Sequence, residues 1–513
     1  MTARHYDVVV LGRSLGALTT AALLARREFR VLLLGQGGLP ASYQVDRHRL
    51  KRRAFTFLCA QSPVWRKVLR DLAQSQSFSR RVEPLDPMFS FLSPGRRLEL
   101  SPDVAAFGKE IDREFPKVRQ LIDEFHSRLG MVNSAIDAAF EREISWPPGT
   151  LVERWEAGRA IASIPLSGGE TAEQLLSKFP AGHAFRDVAL LPSLFASDLD
   201  EGSSRMSLSL ARLHGSWVRG LFSLPDGFDD LERFLLDRFA AHGGECRLFS
   251  KATNLLVQRG RVTGILEEGA EEEIGASAVV SADTGETVAA LAGGEGVSSR
   301  ALQRWPHLVP TSGRFVCSIV LRSQGLPELL SQETFLLPER GRTDDPNGCC
   351  LHLQRFVGDN DQTLLVAEVL VPLQGSFRLR DARQLVLATL RFHFPFLDEH
   401  LLWVDSTHDG LPVHSYSEGK RRDIERTQFP ECGSKAEGME RRWTVAPPGF
   451  LDVAGEPLRG PIAGSYLVGK TVLPGFGQEG ELLAAWSVAR ILTKKDSVRQ
   501  RRRRQMWTKI ETG

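Results

Sequence analysis

The chain opens on a change of period. Tyr6 to Leu11 is a β-branched, largely apolar run, the pattern of a central parallel strand covered on both faces. From Leu15 to Leu24 the apolar positions take helical spacing, with Leu15, Leu18, Ala22 and Ala25 sharing a face. A second apolar run, FRVLLLG, ends at Gly35. Strand, glycine turn, helix and strand within about thirty residues predict a βαβ unit. Residues 88–125 predict two short strands around Pro94-Gly95 and then an acid-capped helix. Residues 223–282 predict a helix, a strand, a hairpin turning at Arg259-Gly260 and a last strand at Ala278 to Ser281. GRFVCSIVLRS, CCLHLQRF and TLLVAEVLVPL read as strands of a mixed sheet, followed by a helix at 380–393. Near the other end, AGSYLVGKTVLPGFGQEGELLAAWSVARIL predicts a strand, a glycine-rich turn and a helix starting near Gly480.

A chain of 513 residues exceeds one hydrophobic core, so about two or three domains are expected. Its 65 basic and 63 acidic residues nearly cancel, which argues against a nucleic-acid partner. The 6 cysteines, at 59, 246, 317, 349, 350 and 432, form no C-x-x-C pair. Reduced thiols and a cytoplasmic setting are the expectation. No run approaches the length of a membrane span, and no leader-like segment precedes the first strand.

Two motifs overlap at the first turn. Gly12-Arg13-Ser14-Leu15-Gly16 fits G-x-S-x-G, the elbow that exposes a nucleophilic serine. That reading fails on position, because such an elbow draws part of its oxyanion hole from an earlier strand, and only eleven residues precede Gly12. The same stretch is a damaged G-x-G-x-x-G, with Ser14 and Ala17 at two glycine positions. Gly12 permits the tight turn, and the helix N-terminus can point its N–H groups at a pyrophosphate. Ala17 is an accepted substitute, whereas Ser14 brings a Cβ to the phosphate approach. Gly35 stands where an acid would hold the ribose. The N-terminus alone leaves a bound dinucleotide and a βαβ unit holding nothing as equal readings.

These stretches, taken in order along nearly the whole chain, resemble the phytoene desaturase-like branch of the flavin amine oxidase superfamily. The resemblance implies an α/β fold, in which an FAD/NAD(P)-binding Rossmann-like domain is interleaved with an α+β substrate domain. It places Gly12, Ser14, Leu15, Gly16 and Ala17 in the phosphate loop, and Gly35 and Gln36 at the ribose end of the second strand. Ala252 falls on the strand that passes the adenine. Gly469, Lys470, Pro474, Gly475, Gly477 and Gly480 fall in the loop at the flavin end. Both glycine turns would flank one cofactor, FAD, and are therefore expected side by side. The flavin would itself accept hydride, so the absence of an evident general base is no obstacle; no catalytic residue is assigned, and no motif suggests a metal.

The departures are specific. Gly35 replaces a glutamate, Lys470 replaces an aspartate, and PDGF at 225–228 replaces a Pro-x-Gly-Gly turn. Losing two hydrogen bonds to charged groups, at about 1.5–3 kcal/mol each, weakens FAD about 10²- to 10⁴-fold. Restoring the ribose carboxylate with Gly35→Glu, and the phosphate approach with Ser14→Gly, is expected to tighten it. The expected cofactor domain comprises 1–75, 225–300 and 440–495, and the substrate domain 76–224 and 301–439. The resemblance implies an apolar, isoprenoid or polyene-like substrate; a cofactor-free relative serving as a binding or scaffold protein is the competing reading. NAD(P) is disfavoured because no arginine follows Gly35 to meet a 2′-phosphate.

Two basic stretches remain. In DRHRLKRR, Arg47, Arg49, Lys51 and Arg53 fall on one face if extended, as a charged edge strand or a phosphate clamp. The tail at 496–513, with five arginines beside Met506 and Trp507, suits either a solvated terminus or an anionic membrane surface.

Overall fold

β1 (His5–Leu11) runs parallel between β2 (Val31–Leu34) and the strand Glu273–Ser281. Nearly every side chain of this ribbon is buried, which is why its sequence is apolar without alternation. The computed structural model describes residues 4–166, 170–200, 206–270, 272–297, 303–337, 350–358, 360–447 and 449–496. Glu245–Arg247 extends the sheet beyond β2 in parallel. On the other flank, Arg261–Glu267 and Ala252–Gln258 form the expected antiparallel hairpin, and Ser465–Leu467 adds a parallel strand at the end of Glu273–Ser281.

Helix α1 (Leu15–Arg26) crosses from β1 to β2 and packs against both Phe228–Ala241 and the C-terminal helix Gly477–Lys495. Every residue from Leu15 to Ala25 is buried. A helix covered all round must be apolar all round, and LGALTTAALLA is small enough to allow that close approach. The two glycine turns meet as expected. Ala282 is the shared wall: a Cβ on Gly12 would lie 2.7 Å from its Cβ, and one on Gly469 would lie 1.9 Å from its carbonyl oxygen.

Among the described residues the second sheet has ten strands, built around the long strand His307–Arg322. Gln362–Pro372 pairs along its whole length, and Leu351–Val357 and Glu333–Leu336 follow. The Pro94-Gly95 hairpin, Phe89–Ser93 with Arg96–Leu100, joins the far edge in parallel with Glu333–Leu336. The helix Leu379–His393 packs on this sheet at the span expected for it. Glu440–Ala446 also pairs with His307–Arg322. The start of the segment 440–495 therefore sits in the second sheet, not with the nucleotide-type strands, and the crossing lies after Ala446.

The basic stretch 46–53 is neither a free charged edge nor a clamp on a phosphate. His48–Lys51 pairs with Ser42–Val45. Three of its cations are taken by acids of the chain in this way: Lys51 by Asp226 at 2.5 Å and Asp229 at 3.1 Å, Arg49 by Asp226 at 2.5 Å, and Arg53 by Glu440 at 3.4 Å. Asp226 belongs to the PDGF turn, which thus serves as a counter-charge. The tail from 497 onward lies outside the described residues.

Candidate functional site

A cleft of about 1230 Å³ opens at the carboxyl ends of β1 and β2, where an open parallel sheet places its ligands. Gly12, Ser14, Gly35, Gln36 and Lys470 line it, as do Arg53, Asp283, Glu440 and Glu456. Trp305, Leu308, Pro310, Met439 and Trp443 line it too, interleaved with His307 and Arg441. A second, narrower pocket of about 80 Å³ lies deeper and shares Ser14, Arg53, Glu440 and Lys470 with the first.

The turn after β1 forms as its sequence demands. Gly12 has φ of +118°, a region that disfavours side chains, and its N–H donates to Leu34 at 2.9 Å. Ser14 caps α1, its hydroxyl accepting from the Ala17 N–H at 3.3 Å. It is a helix cap, not an exposed nucleophile. The next free amide, Gly16 N–H, donates at 3.1 Å to the side-chain carboxyl of Glu481. Glu481 lies just past the first turn of the C-terminal helix Gly477–Lys495 and is buried. Burial pushes its carboxyl from 4.5 up to about 7, outweighing the opposing pull of Lys470 and of the Gly16 amide. The anion position at the head of α1 is thus held by the chain's own acid.

That shift has a testable sign. A carboxyl raised in the folded state contributes stability that is full below its ordinary value of 4.5 and is lost as pH rises through about 7. Glu481→Gln is expected to remove this loss, worth about 3 kcal/mol. Urea melts of both proteins across that window should diverge in favour of the variant at the alkaline end; parallel curves would sink the assignment.

Lys470 reaches Glu440 at 2.7 Å and Asp198 at 3.8 Å. The adjoining Glu440 carboxylate raises its pKa despite burial, and Lys470 together with Arg53 lowers that of Glu440. The lysine side chain is still 30% exposed in the cleft, so water screens the pair. Arg13 is held by Glu232.

Gly35 is a point of backbone contact. A Cβ there would lie 1.8 Å from the carbonyl oxygen of Leu248, and the Gly35 N–H donates to Arg247 at 3.1 Å. The expectation that a glutamate can be restored at this position is corrected by that contact. Gln36 turns its amide onto Ala252, donating from Nε2 to the carbonyl at 3.0 Å and accepting at Oε1 from the N–H at 2.9 Å.

The C-terminal glycine loop is closed by protein. Cβ atoms on Gly475, Gly477 and Gly480 would meet Val453 at 2.7 Å, the Ala196 carbonyl at 2.1 Å and the Leu473 carbonyl at 2.2 Å. The Pro474 carbonyl accepts from Asp198 N–H at 3.1 Å. Leu15 and Ala17 are buried in the start of α1, and a Cβ on Gly16 would meet the Val468 carbonyl at 2.0 Å.

Groups that sequence reasoning did not single out dominate the inner pocket. His352 lies 2.7 Å from Glu333 and 3.3 Å from Glu368, and Arg314 bonds Glu368 at 3.1 Å. Burial would lower the histidine, but the two carboxylates outweigh it and hold it up at about 9. Glu481 and its neighbour Glu479 carried a legible signal: two acids flanking a glycine at the start of an otherwise apolar helix. Among the described residues no cluster has the make-up of a metal site, and no helix is long and apolar enough to cross a membrane. Cys59, Cys246, Cys317 and Cys432 are free thiols.

FAD, held as the resemblance implies, needs the amide at the head of α1, a ribose acceptor after β2 and the backbone edge at Ala252. The first is taken by Glu481, the second is sterically barred at Gly35, and the third is taken by Gln36. The residues present do not fit the group in that mode, although the cleft itself has room for one.

Residues 10–72 match the model of an NAD(P)-binding Rossmann-like domain. No curated protein matches the chain in sequence. Solved structures do match it in fold. An oxidoreductase from Methanosarcina mazei superposes with a TM-score of 0.56 at 16% identity, covering 94% of this chain and 99% of its own. Cyclohexylamine oxidase from Brevibacterium oxydans gives 0.55 at 14% identity, covering 96% and 99%. A putrescine oxidase redesigned in its cofactor binding gives 0.55 at 12% identity, again over 96% and 99%. The chain is thus a mixed α/β protein that carries a Rossmann-like domain and shares the overall fold of these oxidoreductase structures.

Proposed function

We propose that this chain is a cofactor-free binding protein on the flavoprotein oxidoreductase fold, with the cleft as its ligand site. One observation carries the reading: the Glu481 carboxyl sits on the Gly16 amide, where a pyrophosphate would have to arrive. The ionised carboxylate repels a diphosphate there, and in either protonation state it must be displaced from the Gly16 amide before a phosphate can take that position. The apolar side chains of Trp305, Leu308, Pro310, Met439 and Trp443 suit an apolar small molecule, such as an isoprenoid or polyene chain. The basic tail beyond Asp496 is proposed, on its sequence, to favour an anionic membrane surface.

The second reading is an FAD-dependent oxidoreductase of the phytoene desaturase-like type. It is favoured by the cleft, whose size and place at the strand ends suit a dinucleotide. Flavin titration separates the two. Purified protein is expected to be colourless and to leave the fluorescence of added FAD unquenched. A yellow protein, or tight quenching by the wild type, overturns the cofactor-free reading in favour of the oxidoreductase.

A further inference from the structure

Gln36 has a left-handed backbone, with φ of +52°, a conformation that side-chain-bearing residues disfavour. Its N–H donates to Ser250 at 3.0 Å, and this fold-back aims the carboxamide at the backbone of Ala252. Ala252 opens the strand Ala252–Gln258 at the edge of the first sheet, so its N–H and C=O would otherwise face outward together. Both are satisfied by the one amide, at 2.9 Å and 3.0 Å.

A partner for that pair must present a donor and an acceptor side by side in one plane. A primary carboxamide does so, and so does the edge of adenine that carries the N6 amino group beside N1. Hypoxanthine presents the reverse order, an acceptor at O6 beside a donor at N1. Gln36 also lines the cleft, at the end away from the inner pocket. We propose that Gln36 is an internal stand-in for an adenine ring, a side chain that fills a purine subsite and keeps adenine nucleotides out. This deepens the cofactor-free reading and rests on it.

Removing the amide should reopen the subsite. Gln36→Gly suits the left-handed backbone, so the variant is expected to fold. Gln36→Asn, one methylene shorter, tolerates the same backbone and should also release Ala252. Calorimetric titration with AMP and with IMP reads the result. The wild type should bind neither detectably, and both variants should bind AMP about tenfold or more tighter than IMP. Amide exchange at Ala252 should rise in the variants and fall again with AMP. Folded variants that bind neither nucleotide, or both alike, overturn the stand-in while leaving the cofactor-free reading intact. Tight FAD binding by the wild type overturns both.

Discussion

Gly35→Glu is expected to yield little folded protein, and no gain in flavin affinity. The atom that a Cβ would strike is backbone: the Leu248 carbonyl oxygen at 1.8 Å, its carbon at 2.6 Å and its Cα at 2.9 Å. No rotamer change relieves such a contact. The segment is also pinned on both sides, by Gly35 N–H to Arg247 at 3.1 Å and Gln36 N–H to Ser250 at 3.0 Å. Making room means parting β2 from Glu245–Arg247, at a cost of about 4–5 kcal/mol or more. That is a large share of the roughly 5–15 kcal/mol that holds a domain together. Gly35→Ala meets the same oxygen with only a methyl group, so it separates backbone contact from charge. Thermal melts should show the alanine variant strongly destabilised; a melt matching the wild type would mean that the two segments are not in contact.

Arg212→Met is expected to cost about 3–5 kcal/mol, because it strands buried charge. Arg212 is 1% exposed. It forks onto Glu479 at 2.5 and 2.6 Å, meets Asp137 at 2.7 Å and donates to Asn133 at 3.1 Å. Glu479 stays ionised despite burial because Arg212 lies beside it, with Ser62 donating to it as well. Without the guanidinium, that carboxylate must take up a proton or draw in water. The loss should therefore grow with rising pH. Pairing the change with Glu479→Gln removes the stranded charge and is expected to recover much of it. Urea melts of the two single variants and the double variant test this directly. Additive losses would show that the pair is not coupled.

The local elements were legible because each is written in its own period. The run to Leu11, the helical spacing from Leu15, and the glycine turns at Gly12 and Gly475 declare strand, helix and loop without reference to distant residues. The site was legible only in outline. Gly35 looked like a lost anchor because a substitution in a motif is visible in sequence, while the Leu248 carbonyl that explains it lies more than two hundred residues away. The same holds for Glu481 on Gly16, and for Gln36 on Ala252. Of Arg47, Arg49, Lys51 and Arg53 the strand holds Arg49 and Lys51, and nothing local points to Asp226, Asp229 and Glu440 as the counter-charges of Arg49, Lys51 and Arg53. Charge pairing across the chain has no period. Sequence showed which positions departed from a pattern, and only the fold showed what had moved in.

The burial of α1 also sets an order of events during synthesis. This helix emerges more than four hundred residues before the helix that covers one of its faces, Gly477–Lys495. At about 5–20 residues per second, translation leaves α1 without that neighbour for roughly twenty seconds to a minute and a half. Through that interval an alanine- and leucine-rich surface stays uncovered, and β1 lacks its partner Glu273–Ser281 for more than half of it. The nascent chain cannot complete its first sheet domain by domain from the N-terminus. The packing of α1 is thus completed only when a segment far along the chain has been made.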